Sequence, residues 1–240
     1  MTNCDIVIRS YYKDFEWLAY CLRSIERYGR GFRRVIVIVP RSSRAKLDWL
    51  GIRADTIVDC EDHRDDYLGQ QVTKLTADRY TDAELLCHID SDCLFRRTTT
   101  PDALVVAGRP RVLMAAYRAL DPRLAWQAVT ERLLGEPVEY EFMRTPPYVF
   151  PRWLYAALRG HVEALHRTSI ERYILAQPPR GFSEWNALGA FAYRHHRSAF
   201  EFVDVGAGPS PLVDDGPLRV FWSWGGIDAA VRAEIEQILG

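Results

Sequence analysis

"ELLCHIDSDCLF" (84–95) is the stretch on which the reading of this chain turns. An apolar run ends in two aspartates one residue apart, Asp90 and Asp92, and side chains two apart on an extended segment point the same way. The two carboxylates therefore converge on one point just past a strand end. A capped strand followed by a solvated turn accounts for the same residues, so the order of elements around the stretch has to arbitrate.

Working outward, strands are expected at "CDIVIRS" (4–10), "RRVIVIVP" (33–40) and "DTIVDC" (55–60). The second is almost continuously β-branched, as a strand buried on both faces would be. Between them Phe15, Leu18, Leu22 and Ile25 recur at spacings of three and four, the stripe of an amphipathic helix, and further helices are expected at 43–50 and 69–80. This alternation makes residues 84–90 a fourth strand. It predicts an α/β fold, a mostly parallel sheet flanked by helices, with ligands at the carboxyl ends of its strands. After residue 95 the pattern loosens. A strand at 111–117, helices at 123–134, 151–166, 168–176 and 183–195, strands at 201–205 and 218–224, and a last helix through Ile227, Val231, Ile235 and Ile238 are expected, with Pro122, Pro137, Pro146, Pro147 and Pro151 breaking the middle. No linker divides the 240 residues, which are expected to form a single domain.

Composition excludes more than it identifies. With 48% hydrophobic residues the chain can build a sizeable core. Thirty-one basic against 32 acidic residues leave no global field for a polyanion, so nucleic acid would need a local stripe such as Arg109, Arg111, Arg118 and Arg123, or Arg152, Arg159 and Arg167. Five scattered cysteines without a C-x-x-C pair argue against a disulfide framework and fit a reducing cytoplasm. No apolar run approaches the ~20 residues that cross a bilayer, so no membrane insertion and a cytoplasmic location are expected.

Paired carboxylates at a strand end suit a hard divalent cation, Mg²⁺ or Mn²⁺, bridging a diphosphate. Two other chemistries compete. An aspartyl phosphatase would use the first carboxylate as nucleophile, but it places the motif on the first strand with a small hydroxyl residue two after the second aspartate, where this chain has Leu94. A zinc site from Cys87, His88 and Cys93 is disfavoured because neighbouring strand residues face opposite sides. Ser183 followed by Glu184 is a good helix start, and Trp222 and Trp224 alternate toward one side, as a sugar platform or as core.

Four segments, "DIVIRSYYKDFEWLAYCLRSI" (5–25), "LGQQVTKL" (68–75), "HIDSDCLF" (88–95) and "GFSEWNALGAFAY" (181–193), together resemble nucleotide-sugar glycosyltransferases of the GT-A fold, in particular a bacterial and phage group. The resemblance implies a GT-A-like sheet in which residues 1–100 bind a UDP- or GDP-sugar donor and residues 101–240 form the acceptor side. It implies Mn²⁺ or Mg²⁺ on Asp90 and Asp92, with Asp92 the more direct ligand and His195 a third. Arg9, Ser10, Tyr11, Gln70, Gln71, Lys74, Asp90 and Ser91 would approach the donor, and Ser183, Trp185, Trp222 and Trp224 the acceptor. Glu184 would be the general base of an inverting transfer. The acceptor would be a bacterial glycan or a hydroxymethylated base in phage-type DNA. His195 and His196 read equally as surface residues at a helix end. The competing readings are a nucleotide-sugar or metal-binding module without turnover, and a phosphatase or phosphotransferase. Oligomeric state leaves no sequence signature here.

Overall fold

A computed structural model describes residues 2–121 and 126–240. The first half runs β1 (Cys4–Arg9), α1 (Phe15–Tyr28), β2 (Val35–Pro40), α2 (Arg41–Trp49), β3 (Thr56–Cys60), α3 (Asp66–Leu75), β4 (Leu85–Asp90) and β5 (Cys93–Phe95). The second half runs β6 (Val105–Val106), β7 (Arg109–Ala116), α4 (Trp126–Leu134), β8 (Tyr140–Glu141), β9 (Tyr148–Pro151), α5 (Arg152–His166) and α6 (Ile170–Leu175). It continues through α7 (Glu184–His195), β10 (Glu201–Asp204), α8 (Pro211–Asp214), β11 (Leu218–Val220) and α9 (Ala229–Leu239). No described helix is long and apolar enough to cross a membrane.

The central sheet has the order β3-β2-β1-β4-β9, four parallel strands closed by an antiparallel edge. The α/β class is as the alternation predicts. Strand β2 shows why the sheet is central: Ile36 and Ile38 enter one packed layer with Val72, Leu154 and Trp185, while Val37 and Val39 enter the other with Leu18 and Leu47. A strand that feeds two cores must be apolar throughout. Because β2 and β3 lie on one side of β1 and β4 on the other, the chain reverses its winding between β1 and β4, and Arg9 pairs in register with Asp90 there. A crevice at such a switch point is where open α/β sheets take ligands.

Several elements differ from expectation. Strand β9 follows the run of prolines that obscured it, yet it lies beside β4 with Tyr148 opposite His88. The helix expected over 69–80 ends at Leu75 and continues as a 3₁₀ turn over Ala77–Arg79. Of the helix expected from residue 123, positions 123–125 and Arg123 lie outside the described residues. The strand expected over 218–224 stops at Val220, because Ser223–Gly225 form a 3₁₀ turn, and this exposes Trp222 by 69% and Trp224 by 85%. The short strands β5, β6 and β8, and the four-residue helix α8, carry too little periodicity to be read from the sequence.

At the opposite end of β1 from the crevice, the buried Asp5 carboxylate takes Arg33 Nε and Nη2, both at 2.8 Å, Thr81 Oγ1 at 2.5 Å and Arg34 Nη2 at 3.2 Å. Burial alone would raise its pKa; the bonds from Arg33, Thr81 and Arg34 outweigh it and hold the pKa below the usual carboxylate value. Asp5→Asn should cost about 2–3 kcal/mol at pH 7, a lower figure than for a fully dry pair because both guanidinium groups reach solvent, and lower Tm by about 5–10 °C. A depressed carboxylate stabilises above its unfolded pKa and loses that contribution as pH falls through the folded one. The Tm gap between native protein and variant should therefore be constant from pH 7 to about 5 and shrink below about pH 4.

Candidate functional site

Three elements meet at the carboxyl end of β4. Helix α3 starts on Asp65, whose carboxylate accepts the Leu68 N–H at 3.0 Å, and its last turn carries Lys74. Helix α7 starts on Ser183, whose Oγ accepts the Asn186 N–H at 3.5 Å and Asn186 Nδ2 at 2.9 Å. The N–H of Glu184, one of the donors a helix start leaves unpaired, is taken by Gln71 Oε1 at 2.9 Å. These two attachments bring α3 and α7 together over the strand end.

At their meeting point the Lys74 ammonium lies 2.8 Å from Glu184 Oε1 and 2.7 Å from Asp90 Oδ1. Both contacts are short, and the one buried ammonium meets both carboxylates. Only 3% of Lys74 is exposed. Burial opposes its charge, but Asp90 and Glu184 outweigh burial and hold its pKa above the ordinary lysine value. The Trp185 ring lies 5.0 Å from Nζ and is itself stacked on Tyr148, with ring centres 4.5 Å apart. His88 Nε2 lies 2.7 Å from the Tyr155 hydroxyl behind this wall. Burial, then Lys74, push its pKa down to about 3. His88 is thus a neutral core histidine, and its face of β4 is opposite to that of Cys87, which packs with Cys4 and Val149 in the other layer.

Asp92 sits on the turn after β4. Its Oδ2 accepts the Ser223 N–H at 2.9 Å, and its carbonyl accepts the Phe221 N–H at 2.8 Å. Burial, then the charge of Asp90, push its pKa up to about 7. Asp14, at the start of α1 and making no capping bond, is raised by burial and by Asp66 and Asp90, against a hydrogen bond from Ser223. The mouth therefore gathers four carboxyl groups, Asp14, Asp66, Asp90 and Asp92, of which Asp66 is paired with Arg9 and Asp90 with Lys74. Arg9 is spent on Asp66, with Nη2 2.5 Å from Oδ1, and its guanidinium lies 5.7 Å from the centre of the Tyr11 ring. Ser10 Oγ and Arg9 Nε are buried and have no hydrogen-bond partner among the described residues.

The residues singled out from the sequence separate into those gathered here and those placed elsewhere. Lys74, Asp90 and Glu184 meet in one ion-paired cluster with Gln71 bonded to Glu184, and Arg9, Ser10, Tyr11, Ser91 and Asp92 lie near it at the carboxyl ends of β1 and β4, where Ser10, Gln71, Lys74, Ser91 and Glu184 are buried. Gln71, not Gln70, makes the link to α7; Gln70 is half-buried on the neighbouring helix position. Ser183 and Trp185 do not face an open acceptor groove. The Ser183 hydroxyl is used in the cap, and Trp185, 2% exposed, is the wall under Lys74. Trp222 and Trp224 are not core residues, since they project from the turn that Ser223 pins to Asp92. His195 is no third ligand beside Asp92: it ends the helix that Glu184 begins, about 16 Å away along α7 at 1.5 Å per residue. It pairs with Glu136 at 2.7 Å. His196 instead packs edge-on against Trp153. The arginine stripes are broken by ion pairs, Arg109 with Glu201 and Arg159 with Asp78.

Asp14, Asp66, Ser223 and Tyr148 were not read from the sequence. Asp66 lies in an acid-rich stretch that reads as a loop but is the first residue of α3, and only its pairing with Arg9 makes it part of the site. Ser223 lies 131 positions from Asp92, and no local pattern reports such a contact.

A model of a family of unknown function (DUF6492) matches residues 9–201, a span that includes α3, β4 and α7. No curated protein matches the chain.

The buried bridge makes a stability prediction independent of activity. Lys74→Met strands two carboxylates and should cost about 3 kcal/mol, lowering Tm by about 6–12 °C. Adding Glu184→Gln neutralises one of them and should recover part of the loss, a coupling that a double-mutant thermal melt measures.

Proposed function

The chain belongs to DUF6492, a family of unknown function, and for it we propose a divalent-metal-dependent glycosyltransferase of GT-A type that moves a sugar from a UDP- or GDP-sugar to a hydroxyl of a glycan. The observation that carries the reading is the convergence of Asp90 and Asp92 with Lys74 and Glu184 at the switch point between β1 and β4. The all-oxygen donor set fits Mg²⁺ or Mn²⁺, and the fit is supported by an Asp92 carboxyl raised by burial and by the like charge of Asp90. Asp92 is the more direct ligand, because Asp90 is already neutralised by Lys74. When bound there, the cation offsets the charge on the departing diphosphate.

The chain's own residues do the rest. Ser10, Tyr11 and Ser91 follow the carboxyl ends of β1 and β4, beside which a nucleotide would lie, and of the three Tyr11 is the one that reaches the surface. Lys74 holds Glu184 at a fixed place relative to Asp90 through Oε1. The carboxylate's other oxygen is proposed to accept the proton of the acceptor hydroxyl as its oxygen bonds to the anomeric carbon and the bond to diphosphate breaks. Attack from the face opposite the leaving group inverts that centre. Trp222 and Trp224, fully presented beside Asp92, suit the apolar face of a sugar ring. A glycan is favoured over DNA as acceptor because the ion-paired arginines leave no continuous basic stripe among the described residues.

With Mn²⁺, one member of a panel of nucleotide sugars should raise Tm, and Asp92→Asn should abolish the shift while leaving the ligand-free Tm within a few degrees. Glu184→Gln should keep the shift and lower transfer by about 10²-fold or more, read as kcat in a coupled assay of released nucleoside diphosphate. Retained turnover in that variant would remove Glu184 as the base. Absence of any shift across the panel would remove the nucleotide-sugar reading.

A further inference from the structure

At the far end of α7 from Glu184, three chemically apt side chains meet. Gly135, at φ +72°, turns the chain out of α4 and delivers Glu136; α5 contributes His161; α7 contributes His195 as its last residue. Their ligand atoms lie within 4.8 Å of one another. His195 Nε2 is 2.7 Å from Glu136 Oε1, and the two imidazole rings are centred 5.1 Å apart.

The hydrogen bonds around the cluster fix which atoms are available. His161 Nε2 lies 2.9 Å from the Leu134 carbonyl, which can only accept, so Nε2 carries the proton and Nδ1 keeps its lone pair. A backbone carbonyl behind one ring nitrogen is the usual support of a metal-binding histidine. Arg194 Nε holds Glu136 Oε2 at 3.0 Å and turns Oε1 toward His195. Phe191 lies against both imidazoles, at 5.4 Å from His161 and 4.8 Å from His195, and limits their movement on one side. The other side is open, since Glu136 and His161 are half-buried and His195 is exposed.

We propose that Glu136, His161 and His195 form a binding site for a borderline divalent transition ion, best fitted by zinc, separate from Asp90 and Asp92. Two neutral imidazoles and one carboxylate are a common three-ligand zinc set that leaves a fourth position for water. Zinc bonds of about 2.0–2.1 Å place tetrahedral ligands roughly 3.3 Å apart. His195 and Glu136 already lie closer than that, and the widest separation, no more than 4.8 Å, has to close by about 1.5 Å. The ion would clamp the C-terminal end of α7 to α5 and to the turn after α4. The nitrogen donors separate this site chemically from the all-oxygen mouth, which favours Mg²⁺ or Mn²⁺.

The test uses full-length protein with no histidine tag, titrated with zinc chloride and followed by equilibrium dialysis and thermal melts. Native protein should take up a zinc ion and gain about 5–10 °C in Tm at roughly 100 times Kd. His195→Ala, at an exposed helix end where folding should survive, should weaken uptake about tenfold or more, and so should Glu136→Gln. Asp92→Asn should leave uptake unchanged, and Mg²⁺ should produce no shift that depends on His195. Equal zinc affinity in native protein and His195→Ala would overturn the proposal, as would uptake lost in Asp92→Asn, which would place the zinc at the strand end. No uptake at all would reduce the cluster to an ordinary His–Glu pair.

Discussion

The site depends on one buried charge. Lys74, almost wholly removed from water, lies between the carboxylates of Asp90 and Glu184, and those three residues come from α3, β4 and α7. An ammonium in such a place is costly to desolvate and is retained only where opposite charge meets it at short range. The same arithmetic applies to the partners: take Lys74 away and two carboxylates face each other in a poorly solvated pocket. Every other feature of the mouth follows from where this bridge puts the strand end. Gln71 takes the first N–H of α7, Trp185 lies against the ammonium, and Gly189 lets α7 approach Phe142 so closely that an added Cβ would sit 2.4 Å from that side chain. Helix α7 is thereby seated along its length as well as at its start.

How much of this was legible without coordinates varies with the range of the contact. The parallel order of β1 to β4 followed from alternating apolar strands and amphipathic helices, because burial on two faces writes itself into consecutive residues such as Val35 to Val39. Asp90 and Asp92 were readable for the same reason, as a local pattern at a strand end. The resemblance to known glycosyltransferases, not periodicity, singled out Gln71 and Lys74 as donor-side residues and Glu184 as a base. That Lys74 ties Asp90 to Glu184 is a fact of packing over 110 positions, which no spacing in the chain records. Trp185, Trp222 and Trp224 show the limit from the other side. Alternation offered Trp222 and Trp224 as a platform and the resemblance offered Trp185, and burial alone distinguishes the one that forms a wall from the two that meet solvent. Strand β9 was missed because prolines, normally breakers, here flank an edge strand, where a missing N–H costs little.

The C-terminal segment deserves a place in this picture through Ser223. Its N–H reaches the Asp92 carboxylate, and the neighbouring Phe221 N–H reaches the Asp92 carbonyl, so the turn bearing both exposed tryptophans is tied to the residue that is proposed to hold a cation. Among the described residues strand β11 pairs only with β5, and α9 packs on α1 in a small apolar cluster with Trp17, Phe221 and Ile235. The segment's position beside Asp92 is a consequence of one backbone N–H on the Asp92 carboxylate, another on the Asp92 carbonyl and a compact apolar cluster, and it places two exposed tryptophans beside the strand end.

The central claim is that this constellation cleaves the bond between a sugar and a nucleoside diphosphate. Incubating the protein with individual nucleotide sugars and Mn²⁺, without acceptor, and separating the products tests it most directly, since a transferase site passes its sugar slowly to water. The account predicts release of the intact nucleoside diphosphate and free sugar from one nucleotide sugar. Inorganic phosphate released from simple phosphomonoesters, with every nucleotide sugar left whole, would contradict it and assign Asp90 and Asp92 to phosphoryl chemistry.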